Sequence, residues 1–330
     1  MEKIDFVVLW VDGNDPAWIE ERKKYLPIKT EAGAAINRFR DWGLMRYWFR
    51  GIEKFAPWVN NVYFVTWGHY PEWLNLAHPK LKIVKHRDYI PHENLPTFNS
   101  NVIELYLHKI PELNEQFVLF NDDTFLVNHV KQTDFFEKGL PCDCAWFGRL
   151  APSGVGELFP HTMLNNTAVL NKYFDKKAVI KKYWKKYFSI KYGKDIIRNV
   201  LLSPFNHFSA FHDTHLPASH LKSTFEEVWK AEPDYLQECG THRFRNWKDV
   251  THWLMKNWRF CQGKFEPRSN RWGKCFEIGC DDGMVDAIKK KKYKAICLND
   301  SDPNLDFCRY QRELVEAFEA ILPEKSSFEK

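Results

Sequence analysis

Apolar runs that stop abruptly at polar clusters dominate the amino-terminal part of the chain. Four such runs are rich in β-branched and aromatic residues and predict buried strands, at residues 4–11, 62–67, 81–84 and 117–120. Apolar residues with helical spacing alternate with these strands, at residues 41–56, 71–76 and 97–110. The alternation predicts an α/β fold with a Rossmann-like, mainly parallel sheet that is covered by helices.

The remainder of the chain is predicted to be largely helical. We expect a helical insertion at about residues 172–200 and further helices at residues 226–229 and 308–322. No internal repeat or low-complexity linker interrupts the sequence. We therefore expect a single domain over residues 1–330 that contains the insertion.

Composition places the chain among globular proteins. Its 330 residues, 44% of them hydrophobic, can bury a full core. Residues 1–3 lead into a strand without a signal peptide, and no apolar run approaches the ~20 residues of a membrane span, so we expect a cytoplasmic protein. The eight cysteines have no C-x-x-C spacing, which argues against zinc and fits reduced thiols, although five of them follow Cys239.

A basic, aromatic stretch covers residues 172–198, with ten Lys or Arg against two Asp. One interpretation is a solvated helix that packs its aromatic side chains on the core. Another is a surface for an anionic acceptor or for the anionic face of a membrane. No nucleic-acid-binding module accompanies the stretch, so nucleic acid is not an expected partner.

Asp122 and Asp123 follow the fourth predicted strand directly, after Asn121. Carboxylates at the end of a buried strand lie at the carboxyl edge of the sheet, where open α/β folds bind ligands. Two adjacent carboxylates repel each other, so we expect them to hold Mg²⁺ that is shared with the phosphates of a ligand. An acidic turn that caps the next segment is the alternative.

The loop after the first strand, Asp12-Gly13-Asn14-Asp15, is a second candidate. Gly13 allows a ligand to approach the backbone closely, and its neighbours supply short polar groups. The chain has no G-x-G-x-x-G and no G-x-x-x-x-G-K-[ST] motif. The loop is therefore neither a dinucleotide fingerprint nor a P-loop.

Basic side chains supply further candidate chemistry. Three histidines lie within nine residues: His212, His215 and His220. One of them could accept a hydroxyl proton near neutral pH, while zinc binding and a structural role are the alternatives. Arg243 and Arg245, on alternate positions of a predicted extended strand, would face one side and fit phosphate oxygens.

Asn299 and Asp300 repeat the first acidic arrangement, because they end a further apolar run. The chain thus combines two acidic strand ends with a pair of arginines and a histidine cluster. Together these groups suggest metal-assisted chemistry on a phosphate ester.

These segments, in this order, resemble the four conserved regions of the Stealth family. That family comprises bacterial capsular polysaccharide phosphotransferases and the catalytic subunit of the lysosomal-enzyme N-acetylglucosamine-1-phosphotransferase. The similar segments are residues 5–16; 38–41, 46–47, 50–59, 95–100 and 120–123; 161–174 and 215–217; and 297–300. The second region opens with Arg38-Phe39-Arg40-Asp41. Leu44 stands where family members often have an acidic residue, so any role of that carboxylate is absent or moved here.

The resemblance implies a nucleotide-sugar-transferase type of sheet and Mg²⁺ as cofactor, with Mn²⁺ as a substitute. It implies transfer of a hexose 1-phosphate, such as N-acetylglucosamine 1-phosphate, from a UDP-sugar to a hydroxyl of a glycan acceptor, with release of UMP. The process would be capsular or exopolysaccharide synthesis. Peripheral contact with the inner face of the cell membrane is an expectation from the basic stretch, not from the resemblance. Competing interpretations are a metal-dependent glycosyltransferase that releases UDP and a non-catalytic glycan-binding module.

Residue roles follow from the same resemblance. His215 is the expected base for the acceptor hydroxyl, and Arg243 and Arg245 are expected to hold phosphate. The expected metal ligands are Asp122, Asp123, Asn299 and Asp300, with Asp122 also catalytic. The expected substrate contacts are Trp10, Asp12, Gly13, Asn14, Asp15, Arg46, Asn99 and Ser100.

Overall fold

The computed structural model describes residues 2–26, 40–152, 154, 157–302 and 304–330. Arg38 and Phe39, which resemble part of the second conserved region, lie outside the described residues. Every residue that we assigned to a site from the sequence lies within them.

The described strands are β1 (Ile4–Leu9), β2 (Val62–Thr66), β3 (Leu81–Lys85), β4 (Gln116–Phe120), β5 (Thr124–Leu126), β6 (Phe136–Glu137), β7 (Leu140–Asp143), β8 (Ala218–Leu221), β9 (Glu266–Pro267), β10 (Gly273–Glu277) and β11 (Ala295–Asn299). Five of them form a central sheet in the order β3-β2-β1-β4-β8. Its first four strands are parallel, and β8 runs antiparallel to β4. The mainly parallel α/β sheet that the sequence predicted is confirmed.

Two smaller sheets adjoin the central one, in the orders β10-β11-β5 and β6-β7-β9. β10 and β11 are parallel, and β11 pairs antiparallel with β5. β5 begins directly after Asp123, so the chain passes from the central sheet into the smaller one at the acidic motif.

The described helices are α1 (Pro16–Lys23), α2 (Met45–Phe55), α3 (Ser100–Leu105), α4 (Leu158–Tyr173), α5 (Lys176–Tyr187), α6 (Ile196–Leu202), α7 (Lys222–Ala231), α8 (Pro233–Gly240), α9 (Trp253–Cys261), α10 (Met284–Lys289) and α11 (Phe307–Ile321). They cover both faces of the sheet. Successive strand side chains point to opposite faces, so Phe6 and Val8 join the core beneath α2 and α11, and Val7 joins the core beneath α3, α7 and α9. Within the described chain, every helix is too short or too polar to cross a membrane.

Three of the predicted helical segments differ from the structure. The helix expected at residues 71–76 is wrong, because turns occupy this segment and Leu74 forms a bridge with Glu329. The helix expected at residues 97–110 is shorter: α3 ends before Tyr106, and a 3₁₀ turn follows at Leu107–Lys109. Residues 172–200 are largely helical, but the helical region already begins with α4.

Candidate active site

The carboxyl ends of β1 and β4 lie side by side, because the two strands are parallel and Val8 pairs with Phe120. The loops that follow them, at residues 10–15 and 121–123, therefore meet at one edge of the sheet. β8 begins opposite Leu119, which brings the preceding loop with His215 to the same edge. This edge carries the candidate active site.

The second acidic strand end joins this edge through β5. Cys297 of β11 pairs with Thr124 of β5, and the backbone N–H of Leu298 donates to the carbonyl oxygen of Asp123 at 2.9 Å. Asp300 follows two residues later. The two acidic motifs, which lie far apart in the sequence, are therefore structural neighbours.

Four carboxylates influence one another along the edge: Asp12, Asp41, Asp122 and Asp123. Asp122 and Asp41 are exposed side chains. Partial desolvation by the surrounding protein and repulsion by Asp123 raise the pKa of Asp122 to about 7. Partial desolvation and Asp12 likewise raise the pKa of Asp41. A bound cation would relieve this repulsion.

Two buried carboxylate oxygens, Asp123 Oδ1 and Asp300 Oδ1, make no hydrogen bond within the described part of the chain. The other oxygen of Asp300 lies 3.3 Å from Arg40 Nη1 and accepts a hydrogen bond from Trp42 Nε1 at 3.2 Å. Buried polar atoms without a partner are costly, and carboxylate oxygens are the ligands that Mg²⁺ and Mn²⁺ prefer. The donor set therefore fits a hard divalent cation.

Asn299, which we predicted as a metal ligand, is engaged elsewhere. Its Nδ2 donates to Glu277 Oε1 at 2.7 Å, and Ser301 Oγ donates to the other oxygen of Glu277 at 2.7 Å. The amide thus ties β11 to the end of β10. This bond uses Nδ2 and leaves Oδ1, the atom that would bind a metal, so the role of Asn299 as a metal ligand stays a prediction.

His215 lies against the acidic loop. Its Nε2 is 3.8 Å from Asp123 Oδ2 and 3.1 Å from Asn121 Nδ2. Its backbone φ of 47° falls in the left-handed region, which residues other than glycine seldom adopt. Burial lowers the pKa of His215, but Asp123 and Cys275 outweigh this effect and raise it to about 9. The side chain is therefore an imidazolium near neutral pH.

The other two histidines of the cluster are placed differently. His220 is fully buried, its Nε2 lies 2.9 Å from His252 Nδ1, and burial lowers its pKa well below the ordinary value. The ring of His212 stacks on Trp146 at 5.8 Å between centroids. Of the three histidines, His215 is the one that contacts the aspartate pair.

The segment with Arg243 and Arg245 is a loop after α8, so the predicted extended strand is wrong. The two guanidinium groups consequently do not face one side together. Arg245 Nη2 donates to Ser100 Oγ at 2.9 Å, whereas the Arg243 guanidinium stacks 4.8 Å from the ring centroid of Tyr25. Burial lowers the pKa of Arg245, and the nearby Glu104 and Asp123 oppose this change. Arg245 thus belongs to the acidic edge.

Glu104 is a site residue that the sequence analysis missed. Burial raises its pKa to about 7, against the attraction of Arg245 and His215. Its Oε2 accepts a hydrogen bond from the backbone N–H of His252 at 3.4 Å. A carboxylate on the buried face of a helix, between Val102 and Leu105, is the signal that could have revealed it.

Asn99 is fully buried and serves as the N-cap of α3. Its Nδ2 donates to the carbonyl oxygens of His242 and Phe244, each at 3.2 Å, and to Asp249 Oδ2 at 2.8 Å. These bonds fix the loop that carries Arg245. The structure therefore gives Asn99 a positioning role, in place of the direct substrate contact that we predicted.

Two clefts open beside the carboxyl ends of β1 to β3. One, of about 280 Å³, is lined by Trp10, Asp12, Asp41, Gly43, Met45, Pro71, Glu72 and Trp73. The other, of about 430 Å³, is lined by Asp15, Trp67, Gly68, His69, Lys85, His86, Arg87, Leu95, Pro96 and Thr97. Aromatic faces and polar side chains of this kind suit a nucleotide.

The predicted substrate loop lies between these clefts. Gly13 and Asn14 form a turn in which Asp12 Oδ1 accepts from the backbone N–H of Asn14 at 2.9 Å. Asp15 caps α1 and lies 3.2 Å from His69 Nδ1. Arg46 is exposed at the start of α2, 5.4 Å from the ring centroid of Trp73. Asp12 lines the first cleft and Asp15 the second, whereas Gly13, Asn14 and Arg46 line neither, and the donor contacts of this loop stay predictions.

Comparison with known proteins identifies two family models in the chain. Residues 2–30 match Stealth protein CR1, conserved region 1, and residues 38–142 match Stealth protein CR2, conserved region 2. A capsular polysaccharide phosphotransferase, WcwK, of Streptococcus pneumoniae is 45% identical over 100% of this chain and 99% of its own length. An exopolysaccharide phosphotransferase, cps2G, of Lactiplantibacillus plantarum is 40% identical over 99% of this chain and 96% of its own length.

Solved structures resemble the chain only distantly. The apo bifunctional glycosyltransferase WbbM has a TM-score of 0.42 and 12% identity, covering 96% of this chain and 49% of its own. The galactosyltransferase LgtC with donor and acceptor sugar analogues has a TM-score of 0.40 and 8% identity, covering 96% of both chains. The fold assignment rests on the strand pairing of this chain alone.

Proposed function

Because this chain belongs to the Stealth family of phosphotransferases, we propose that it transfers a hexose 1-phosphate from a UDP-sugar to a hydroxyl of a glycan acceptor. N-acetylglucosamine 1-phosphate is our example of the transferred group. An oxygen–phosphorus bond forms to the acceptor, the phosphoanhydride bond breaks, and UMP leaves. The product is a phosphodiester-linked glycan for capsular or exopolysaccharide synthesis.

One observation carries this proposal: Asp123 shares its surroundings with both His215 and Arg245. Phosphoryl transfer concentrates negative charge on the phosphoryl oxygens, and catalysis consists mainly of positioning and of neutralising that charge. Arg245 and the imidazolium form of His215 can neutralise this charge. The carboxylates of the edge can hold a divalent cation that does the same. A module that only binds glycans would not need an arginine, a histidine and several carboxylates at one site.

Asp122, Asp123 and Asp300 would hold Mg²⁺, with Mn²⁺ as its substitute. When bound, the cation would neutralise charge on the diphosphate of the donor. The residues themselves contribute the unpartnered oxygens of Asp123 and Asp300, while Arg40 and Trp42 orient the Asp300 carboxylate.

His215 accepts the proton of the acceptor hydroxyl in this proposal. With a pKa of about 9, it is a strong base whose neutral form is scarce at neutral pH, roughly one part in a hundred at pH 7. The imidazolium that results is the form that Asp123 stabilises. Proton transfer thus ends on a side chain whose surroundings favour the charge.

The donor nucleotide occupies the clefts beside β1 to β3. Trp10 and Asp12 line one of them and Asp15 lines the other, with Arg46 at the rim of the first. The turn of Gly13 and Asn14 separates the two. Ser100 holds the guanidinium of Arg245, which we assign to the transferred phosphate.

We assign both binding of the glycan acceptor and contact with the membrane to the region around α5 and α6. Exposed lysines of α5 suit an anionic glycan that carries phosphodiester charges. Beside them, one side of α6 exposes Ile197, Val200 and Leu201, and Ile190 and Phe205 are also exposed. Basic and apolar side chains in this combination suit peripheral contact with an anionic membrane.

Nucleotide release tests the proposal. The full chain is incubated with a panel of UDP- and GDP-sugars, Mg²⁺ and a glycan acceptor, and the released nucleotide is identified by chromatography. We expect UMP together with a phosphorus signal of a phosphodiester in the product, and loss of both in EDTA. Release of UDP with a phosphate-free product would instead establish a glycosyltransferase. Binding of the acceptor without any nucleotide release would leave only the glycan-binding module.

A further inference from the structure

Three side chains beside the acidic edge converge although they lie far apart in the sequence: His215, Cys275 and Cys297. Their ligand atoms lie within 4.8 Å of one another. Cys275 and Cys297 are directly paired on the parallel strands β10 and β11, so their side chains leave the sheet on the same face. The loop before β8 places His215 opposite this face.

Asp123 is adjacent to two of these three groups, Cys297 and His215. Its Oδ2 lies 3.5 Å from Cys297 Sγ and 3.8 Å from His215 Nε2. His215, Cys275 and Cys297 therefore offer one imidazole nitrogen and two sulfur atoms around a common point, and a carboxylate oxygen of Asp123 lies beside two of these ligand atoms. Cys275 is half-buried and Cys297 is fully buried, so a metal ion in solution can reach the cluster through Cys275.

We propose that His215, Cys275 and Cys297 form a binding site for a thiophilic divalent cation such as Zn²⁺, with Asp123 as the fourth ligand. Zinc binds thiolate, imidazole and carboxylate in tetrahedral sites. Two sulfurs of such a site lie about 3.8 Å apart, given zinc–sulfur bonds of ~2.3 Å. The spread of up to 4.8 Å in the structure requires only a small closure.

The chemistry separates this site from the one for Mg²⁺. Thiolates are soft ligands that select zinc and reject magnesium, whereas the free oxygens of Asp123 and Asp300 are hard. The two sites share only the Asp123 carboxylate.

Zinc at this position would block the transfer reaction, an effect that rests on the proposed function. The cation would occupy the nitrogen lone pair with which His215 accepts the proton, and it would draw Asp123 away from the magnesium site. Binding and inhibition are separate observables. Direct measurement of the bound metal therefore remains decisive even if the transfer activity proves to be different.

The first experiment measures metal binding by the full chain, reduced and freed of metal with EDTA that is then removed. Co²⁺ is titrated as a spectroscopic probe, since thiolate ligands give an intense near-ultraviolet charge-transfer band, and Zn²⁺ is then added as competitor. We expect one equivalent of Co²⁺ with this band and its displacement by one equivalent of Zn²⁺. The absence of stoichiometric binding would overturn the proposal.

Variants locate the site. Cys275→Ser is the primary variant because Cys275 is only half-buried, and Cys297→Ser is the second. We expect each to weaken zinc binding by about 100-fold or more and to weaken the band. The matched controls Cys280→Ser and Cys308→Ser remove exposed thiols and should change nothing. Equal binding by wild type and Cys275→Ser, with circular dichroism confirming the fold, would refute the site.

A disulfide between Cys275 and Cys297 is the competing use of the pair. It would appear in non-reducing conditions as a mass decrease of two hydrogens and as two fewer reactive thiols than in the reduced chain. If the reduced protein binds no zinc while the oxidised protein forms this bond, the pair is a redox element and the metal site is wrong. Inhibition of UMP release by Zn²⁺ in wild type but not in Cys275→Ser would add the functional consequence.

Discussion

The backbone N–H of Leu298 donates a hydrogen bond of 2.9 Å to the carbonyl oxygen of Asp123. This bond extends the pairing of β11 with β5 up to the last residue of the first acidic motif. Asp300 therefore follows two residues after a backbone contact with Asp123, a residue that lies far away in the sequence. A hard-cation site assembled from both motifs depends on this register, because a shift of one residue would turn the side chains to the other face.

The first prediction concerns Asp300. Its Oδ1 is buried without a hydrogen bond in the described residues, so Asp300→Asn replaces a ligand oxygen with a neutral amide group. We expect the affinity for Mg²⁺, measured from the dependence of UMP release on Mg²⁺ concentration, to fall by about 10- to 100-fold. Asp282→Asn, at an exposed position, is the control and should behave as wild type. Unchanged magnesium dependence in Asp300→Asn would contradict the assignment.

The second prediction concerns the charge of His215. Its pKa of about 9 depends on Asp123, with Cys275 and Glu104 as further contributors that face the ring. Removal of the negative charge in Asp123→Asn should lower the pKa toward the ordinary value of about 6.5. Nitrogen-15 NMR of the histidine rings in metal-free protein measures this shift. A pKa that stays near 9 in Asp123→Asn would show that another group holds the proton.

The sequence predicts the acidic edge well because its signals are local. An apolar run that stops at Asp122 and Asp123 specifies both a strand and the acidic loop at its carboxyl end, and the parallel sheet then sets the position of Asp12. Contacts that depend on packing between distant segments leave no such local signal. Glu104 and the pairing of Cys275 with Cys297 are of this kind, since register and burial are decided by the whole fold.

The alternate positions of Arg243 and Arg245 led to the wrong prediction of an extended strand. Two arginines separated by one residue would share a face of a strand, but Asn99 and Asp249 hold this segment as a loop. Buried side-chain hydrogen bonds to the backbone thus override the local pattern. For this reason Arg243 and Arg245, equivalent in the sequence, have different surroundings.

The third prediction rests on that difference. Arg245 donates to Ser100 and can present its remaining donors to phosphate, whereas lysine offers a single charged centre. Arg245→Lys should therefore reduce kcat for UMP release by about 100-fold. Arg243→Lys, which keeps a cation near the ring of Tyr25, should cost less than tenfold, roughly the strength of a cation–π contact. Equal losses in the two variants would mean that both arginines hold phosphate.

The fourth prediction concerns membrane contact through α6. Ile197 and Leu201 are exposed by 56% and 67% and occupy one side of the helix. The double variant Ile197→Ser/Leu201→Ser should bind vesicles that contain phosphatidylglycerol about 30-fold more weakly, since each side chain loses roughly 1 kcal/mol of burial. Co-sedimentation measures the binding. Leu164→Ser removes a similarly exposed side chain of α4 and serves as control, and equal binding by all three proteins would refute the membrane face.

The fifth prediction separates acceptor binding from fold support in the basic stretch. Lys181, Lys182 and Lys185 are exposed on α5, whereas Lys186 Nζ donates to the carbonyl oxygens of Gly263 and Phe265 and is structural. Changing the three exposed lysines to Gln should raise KM for long anionic acceptors by about fivefold at low ionic strength, since each contact contributes roughly 0.2–1 kcal/mol. Salt should reduce this effect because it screens exposed charges.

Short acceptors and hydrolysis of the donor should be almost unaffected by the triple variant, because neither requires an extended anionic chain on α5. Lys186→Gln is the matched comparison, since it also removes one lysine charge but breaks contacts with the segment before β9. We expect it to lower the melting temperature and to reduce turnover of long and short acceptors alike. If the triple variant also lost activity on both kinds of acceptor in parallel, the exposed lysines would support the fold and would not bind the glycan.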